Sequence, residues 1–180
     1  MISLLQIEFE RKLFELGLSY TVIQDDFYTI SNPSGGGNHI IVRLIPSLHV
    51  NKQLHGSKNG NDIQAIGLFK FKLPSSGQRP DILVFAFHNT IKNKVEFIII
   101  PSQEFWIRQA KKNPESIRRK RVELVLWLME DGFVYDTTNI SAEGEWYFMS
   151  KGRKGRMADG TKVDYTKFMN CWQRLVGKID

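Results

Sequence analysis

Apolar residues are densest in the middle of the chain, and their spacing predicts three successive strands followed by a helix. Residues 67–73 alternate apolar and basic side chains, residues 81–88 are almost continuously apolar, and residues 95–100 end in three isoleucines. Alternation and short apolar runs rich in β-branched and aromatic residues are strand patterns. A strand that is apolar on both faces is typical of the centre of a covered sheet. Ser102 is then a suitable N-cap for the helix.

The first third of the chain predicts one helix and three more strands. Ser3 and Gln6 form a capping-box pattern, and Gly17 is placed to end a helix of about residues 4–16. The apolar face of this helix is predicted to contain four residues with helical spacing: Leu5, Phe9, Leu13 and Leu16. Strands are predicted at three places: residues 19–23, 26–30 and 39–45.

The segment after the apolar middle predicts a second long helix. Asn113, Pro114 and Glu115 supply a cap, a proline at the first helical position and an early acid. We expect this helix to run to about Glu130 and to stop at Gly132. Two later segments have the pattern of a hairpin or of edge strands: residues 133–135 and 146–149.

Together these elements predict an α/β domain that spans residues 1–180. At this length the chain fits one domain with a single sizeable core. Asp164 is expected to cap a C-terminal helix whose apolar face docks on that core: Tyr165, Phe168, Trp172, Leu175 and Val176. The predicted architecture is a mixed central β-sheet of five or more strands, flanked by helices on both faces and closed by the C-terminal helix.

The composition favours a polyanionic partner, of which nucleic acid is the commonest. Lysine and arginine number 25 against 19 aspartate and glutamate residues, and the formal net charge is +6. Two segments concentrate these cations: Lys111, Lys112, Arg118, Arg119 and Arg121 in the first, and Arg153, Lys154 and Arg156 in the second. Such clusters can contact a phosphate backbone without reading its sequence. The alternatives are a solvated helix start for the first cluster and a surface loop for the second.

The cysteine count and the N-terminal residues bear on location. Cys171 is the one cysteine in the chain, so no intramolecular disulfide can form, and a reducing compartment such as the cytoplasm is expected. Glu8 and Lys12 interrupt the apolar N-terminal stretch, which argues against a signal peptide. No apolar run approaches the roughly 20 residues needed to cross a bilayer. We therefore expect no membrane partner.

Short motifs in the first half of the chain share their spacing with a known group of nucleases. Glu8, Leu13 and Gly17 match the first helix of that group, and Asp26 followed by the tripeptide IVR ending at Arg43 matches its metal-binding strands. The stretch RPDILVFAF, with the later VEFIIIPSQEF, is similar as well. On these residues the chain resembles the PD-(D/E)xK, or restriction-endonuclease-like, superfamily as a divergent member with an incomplete motif. The resemblance implies a restriction-endonuclease-like core and action on DNA.

The resemblance also implies metal-dependent phosphodiester hydrolysis, in which carboxylates hold Mg²⁺ at the phosphate. In a first arrangement Glu8 and Asp26 hold the metal and Arg43 contacts the scissile phosphate. Ile41 stands where the family has a second carboxylate, and Arg43 stands where it has lysine. Isoleucine cannot bind a metal and arginine cannot act as a base, although arginine can hold a phosphate through two hydrogen bonds.

A second arrangement of the motif uses later strands. Asp81 and Glu96 then supply both carboxylates, and Lys94 lies two residues before Glu96 on the same face of a regular strand. Lys94 would take the place of the family's lysine, where this chain has Ile98. The motif remains incomplete in both arrangements.

Two functions remain open on the sequence. The first is a nuclease-like domain that binds nucleic acid, more often DNA, with catalysis weakened or absent and with Mg²⁺ as cofactor if it is active. The second is a non-catalytic interaction or structural module that retains the nuclease fold and binds a protein partner or forms a homodimer. For that module, Trp106 and Trp146 are the candidate anchors.

Overall fold

The computed structural model describes residues 3–24, 26–31, 39–48, 63–72, 79–138 and 164–176. In these ranges the chain forms three helices, eight strands and two short 3₁₀ turns. They occur in this order: α1 (Leu4–Glu15), β1 (Ser19–Gln24), β2 (Phe27–Ser31), β3 (His39–Pro46), β4 (Ile63–Lys72), β5 (Ile82–Asn89), β6 (Lys94–Pro101), α2 (Ser102–Lys112), α3 (Pro114–Arg118), β7 (Arg121–Met129), β8 (Val134–Asp136), and the turns Thr166–Phe168 and Trp172–Arg174.

The strands form two sheets, and the predicted α/β class with a mixed sheet is confirmed. The larger sheet has the order β1-β2-β3-β5-β6, with β3 and β5 parallel and the other neighbours antiparallel. The smaller sheet has the order β4-β7-β8 and is antiparallel. β4 therefore pairs with β7, although it directly precedes β5 among the described elements. Among the described residues, no helix is both long enough and apolar enough to cross a membrane.

β5 lies between two apolar layers, which explains its continuous apolar sequence. Leu83, Phe85 and Phe87 belong to a core shared with the smaller sheet and α2. Val84 and Ala86 belong to a second core shared with α1. Because successive side chains of a strand point to opposite faces, one continuous apolar run can contribute to both cores.

α1 forms largely as its local signals predict. The Ser3 hydroxyl accepts a hydrogen bond from the Gln6 amide at 3.2 Å, and Gly17 takes the left-handed backbone conformation with φ +68°. The buried face contains three of the four predicted residues: Leu5, Phe9 and Leu13. Leu16 is 39% exposed, because the helix has ended at the preceding residue.

The helix predicted from Pro114 to about Glu130 is wrong. Asn113 caps a helix as expected, its side chain accepting a hydrogen bond from the Ser116 amide, but α3 ends at Arg118. Four buried residues then alternate along β7: Val122, Leu124, Leu126 and Leu128. This period of two is a strand pattern, and pairing with β4 overrides the local helix signals. Gly132, with φ +84°, lies in the β7–β8 turn.

The predicted C-terminal helix is also wrong, although its apolar residues do dock on the core. Residues 164–176 form two 3₁₀ turns instead of an α-helix. Tyr165 and Phe168 join the core under the smaller sheet, whereas Trp172 and Leu175 join the core on the α1 side. The segment thus contacts both faces at the edge of β6, which a straight helix could not do.

Asn170 fastens this segment to β6. Its amide donates to the Phe97 carbonyl at 2.7 Å, its Oδ1 accepts from the Phe97 amide at 3.1 Å, and its Nδ2 donates to Glu96 Oε2 at 2.8 Å. Its φ of +50° is a conformation that asparagine tolerates. β6 is the last strand of the larger sheet, and a covering segment protects such an edge from pairing with other chains.

Asn170→Ala is expected to lower the free energy of unfolding by about 1–3 kcal/mol, because the buried Phe97 amide and the Glu96 carboxylate each lose a partner. Urea unfolding measures this loss. Asn93→Ala is the matched control, since Asn93 also has positive φ (+46°) but lies exposed in the β5–β6 turn. Equal losses in both variants would show that backbone strain, and not the hydrogen bonds of Asn170, accounts for the effect.

Candidate functional site

Two clefts lie on opposite faces of the larger sheet, and they divide the predicted catalytic residues. The first, the α1 cleft, has a volume of about 670 Å³ and is lined by α1, the β5–β6 hairpin, Asn170 and Trp172. The second, the cationic cleft, has a volume of about 760 Å³ and is lined by α2, α3 and residues of β3, β4 and β5. Both volumes are in the range of small-molecule sites.

The α1 cleft contains Glu8 from the first predicted arrangement together with Lys94 and Glu96 from the second. The Glu8 carboxylate contacts the Arg11 guanidinium at 2.6 Å. Glu96 is 1% exposed, with Oε1 2.8 Å from Lys94 Nζ and Oε2 bonded to Asn170. The two acids therefore each have a partner within the protein.

Asp26 and Arg43 lie together, but they are separated from Glu8 by the sheet. Arg43 Nε donates to Asp26 Oδ2 at 2.7 Å. On β3, Val42 and Leu44 pack toward α1. The intervening Arg43 therefore points to the other face, where it lines the cationic cleft. The first arrangement thus brings together only two of its three residues.

In the second arrangement, Asp81 lies at one end of the β5–β6 pair, and Lys94 and Glu96 lie toward the other end. Asp81 precedes this strand, and its Oδ2 accepts a hydrogen bond from the Ile41 amide at 2.8 Å. Glu96 pairs with Phe87, six residues further along, a separation of about 20 Å at strand rise. Among the described residues, no group of three or more histidine, cysteine, aspartate or glutamate side chains is placed to hold a metal ion.

The cationic cleft gathers basic side chains from three separate parts of the chain. Arg43 comes from β3, Arg79 from the segment before β5, and Lys120 from the α3–β7 turn. Arg43 is held firmly: besides Asp26, its Nη1 donates to the Lys72 carbonyl at 2.8 Å, and its guanidinium lies 5.4 Å from the Phe71 ring centre. A prearranged, mostly buried guanidinium is well suited to bind a phosphate.

The end of the smaller sheet that contributes Phe71 to this cleft carries two more cations on its outer, exposed face. Lys72 lies directly opposite Arg121 in the β4–β7 register, and both are exposed. Like charges in such a pair destabilise a sheet. The neighbouring pair on the same face is of opposite charge, with Lys70 Nζ 3.0 Å from the Glu123 carboxylate. Within the described part of the chain, the Lys72 and Arg121 charges have no acidic partner.

The other predicted nucleic-acid-binding residues have diverse surroundings. Lys112 is 17% exposed and forms a 2.7 Å ion pair with buried Asp136, so its role is structural. Arg118 and Arg119 are exposed and both contact Glu115, at 2.6 and 3.7 Å. Lys111 is exposed on α2. Four predicted residues lie outside the described ranges: Trp146, Arg153, Lys154 and Arg156.

The N-terminus of α2 lies against the cationic cleft. Ser102 was predicted to be the N-cap of this helix, but Pro101 holds that position, so the helix has no side-chain cap. Ser102 is the first helical residue and lines the cleft. It is 8% exposed, and its hydroxyl is buried without a hydrogen-bond partner among the described residues. The cap prediction is therefore wrong.

Glu104, the acidic residue in the first turn of α2, does not cancel the positive charge of the cationic cleft. Burial raises the pKa of Glu104, but hydrogen bonds from Lys167 and Arg108 outweigh burial, and the pKa is lowered overall. Glu104 is therefore charged at neutral pH and neutralised by these two cations. It is absent from the residues that line the cleft.

Lys72 and Arg79 were missed as binding residues on the sequence, because each lies outside the two basic clusters. The signal that could have found Lys72 is the alternation in β4, which places it on the exposed face. No comparable signal exists for Arg79, which reaches the cleft only through the fold.

Comparison with known proteins places the chain in no family: no family model, no curated protein and no solved structure matches it.

Proposed function

We propose that the protein binds nucleic acid, with DNA the first candidate, through the cationic cleft and the adjoining end of the β4–β7 pair. The observation that carries the proposal is the unneutralised pair Lys72 and Arg121, which adjoins the cleft residues Phe71 and Lys120 along the chain. Placing like charges side by side costs stability. A bound polyanion relieves this repulsion, and the release of its condensed counterions favours binding. We place this activity in the cytoplasm, in keeping with the lone cysteine.

Aromatic residues in the same cleft favour nucleic acid over a protein partner. Phe71 and Trp106 line the cleft, with their ring centres 6.2 Å apart. A groove that combines cations with aromatic rings suits single strands, since the cations contact phosphates and the rings stack on bases. Trp106, a candidate protein anchor on the sequence, thus lies among cations that a protein partner would have to neutralise.

The proposed activity is binding without efficient cleavage. Metal-dependent hydrolysis needs carboxylates that hold Mg²⁺ at the phosphate. Here Glu8 lies on the opposite sheet face from Arg43, Glu96 lines the α1 cleft and is held by Lys94 and Asn170, and Asp26 is engaged by Arg43. The protein is therefore proposed as a nuclease-like domain, of the PD-(D/E)xK kind that its motifs resemble, in which nucleic-acid binding is retained and catalysis is weakened or absent.

The test is fluorescence anisotropy of labelled single-stranded and duplex DNA, titrated with the protein at several salt concentrations, with and without Mn²⁺. We expect the logarithm of the association constant to fall linearly with the logarithm of salt, with a slope of about −2 to −4 for three or four phosphate contacts. Mn²⁺ should not strengthen binding and, as a competing cation, should weaken it, and gel electrophoresis should recover intact DNA.

Two results would count against this proposal in different ways. If neither DNA binds at low salt, the binding function is wrong, and protein partners become the better hypothesis. If Mn²⁺ strengthens binding and the DNA is cut, the protein is an active nuclease. The variants Asp26→Ala and Glu96→Ala would then show which carboxylates hold the metal.

A further inference from the structure

We infer that the cationic cleft holds a phosphate monoester attached to a nucleoside, with the phosphate at the N-terminus of α2 and the base against Trp106. This inference rests on the proposed function, which supplies the end of a nucleic-acid strand as the source of the monoester. It adds that the protein distinguishes a phosphorylated strand end from an unphosphorylated one.

Ser102 is the observation that points to a ligand. A buried hydroxyl without a partner costs free energy, so such groups are rare unless something else completes them. The Ser102 hydroxyl is buried, unpaired among the described residues, and belongs to a residue that lines the cleft. It lies at the start of an 11-residue helix whose first turn has no side-chain cap. The Ser102 amide donates to the Asp81 carbonyl at 2.8 Å, so the backbone amides that follow it in this first turn are the ones that favour a compact anion.

The charge of the cleft matches a monoester. Asp26 neutralises Arg43, which leaves the charges of Arg79 and Lys120 among the lining residues. A phosphate monoester carries about −1.5 to −2 charges at neutral pH. A backbone phosphodiester carries only one. The two remaining cations are thus better balanced by the end of a strand than by its interior.

The burial of the cleft residues also favours a strand end. Arg79 and Lys120 are exposed at the mouth, whereas Ser102 and Leu83 are buried at the floor. A phosphodiester at the floor would need room for the chain to continue on both sides. A monoester needs room on one side only, so it can reach Ser102 while the rest of the strand leaves past Arg79 and Lys120.

Trp106 supplies the surface for the adjoining base. Its ring is partly buried and packs edge-on against Phe105, with ring centres 4.7 Å apart and planes at 77°. The ring is therefore fixed in orientation before a ligand arrives. Trp106 is on the turn of α2 that follows Ser102, on the same side of the helix, because residues four apart share a face.

The test compares single-stranded oligonucleotides of one sequence that carry a 5′-phosphate, a 3′-phosphate or no terminal phosphate, with a nucleoside monophosphate as a fourth ligand. We expect a terminal phosphate at one of the two ends to raise affinity about tenfold or more through charge-assisted hydrogen bonds. Binding should quench tryptophan fluorescence, and Trp106→Phe should remove that change. If the mononucleotide binds as tightly as the phosphorylated strand, the cleft does bind a nucleoside phosphate monoester. Free nucleotides, and not strand ends, are then its ligands.

Ser102→Ala tests the position of the phosphate. The unpaired hydroxyl makes no hydrogen bond that folding would lose, so the thermal unfolding midpoint should stay the same or rise. The ratio of the affinities for the phosphorylated and unphosphorylated strands should fall about threefold or more. Ser116→Ala is the matched control, because Ser116 is equally buried at 8% exposure but does not line the cleft.

The outcomes separate this inference from the proposed function. Equal, salt-dependent binding of phosphorylated and unphosphorylated strands would overturn the inference and leave the proposed function standing. A preference for phosphorylated strands that survives both Ser102→Ala and Trp106→Phe would also overturn it, since the phosphate would then bind elsewhere. Binding of no oligonucleotide at all would remove both.

Discussion

Truncation of Phe85 to alanine is expected to lower the free energy of unfolding by about 3–5 kcal/mol, the usual cost of deleting a buried phenylalanine ring. Phe85 is fully buried in β5, where the larger sheet meets the smaller one. Its ring centre lies 5.1 Å from that of Phe69 in β4 and 5.3 Å from that of Phe105 in α2. The cavity would therefore open between three elements that cannot easily collapse together.

Urea unfolding of the two proteins measures this loss. Phe14→Ala is the matched control, because Phe14 is 83% exposed on α1 and surface substitutions change stability by only about 0.5 kcal/mol. A loss below about 1 kcal/mol for Phe85→Ala would mean that the two sheets do not pack through this residue.

Arg121→Glu is expected to weaken nucleic-acid binding and at the same time to stabilise the fold. The substitution replaces the like-charged pair with Lys72 by an opposite-charged pair, which contributes about 0.2–1 kcal/mol across two strands. It also removes one phosphate contact and adds a repulsive charge. We expect affinity to fall about tenfold at low salt and the salt slope to lose about one unit.

This prediction is specific because the stability of the fold should rise while the affinity for nucleic acid falls. A merely damaged protein would lose both. Anisotropy titrations at several salt concentrations and urea unfolding supply the two readouts. Lys92→Glu is the control, because Lys92 is exposed in the β5–β6 turn at the far end of β5. Equal weakening by Lys92→Glu would mean that net charge, and not this sheet end, attracts the nucleic acid.

Motif spacing alone does not show whether residues meet in space. Four of the predicted catalytic residues illustrate this: Glu8, Asp81, Lys94 and Glu96. Each lies at a spacing that resembles a nuclease motif, but the spacing says nothing of which sheet face or strand end a residue occupies. Strand alternation places Arg43 on the sheet face opposite α1, which carries Glu8, and the β5–β6 register places Asp81 and Glu96 at opposite ends of that strand pair. The cationic cleft could not be predicted either, because Arg43, Arg79 and Lys120 are far apart in sequence.

The sequence by itself determined the elements whose signals lie within a few residues. Ser3 and Gly17 mark the two ends of α1, and the apolar run of β5 defines a strand that is covered on both faces. Both could be predicted because caps and side-chain periodicity act locally. The tertiary structure decided the rest. Residues 121–129 became a strand because β4 offered hydrogen bonds and a buried face, and residues 164–176 became two turns because they cover a sheet edge. Both choices depend on distant partners, whose contribution outweighs a local preference of a few tenths of a kcal/mol per residue.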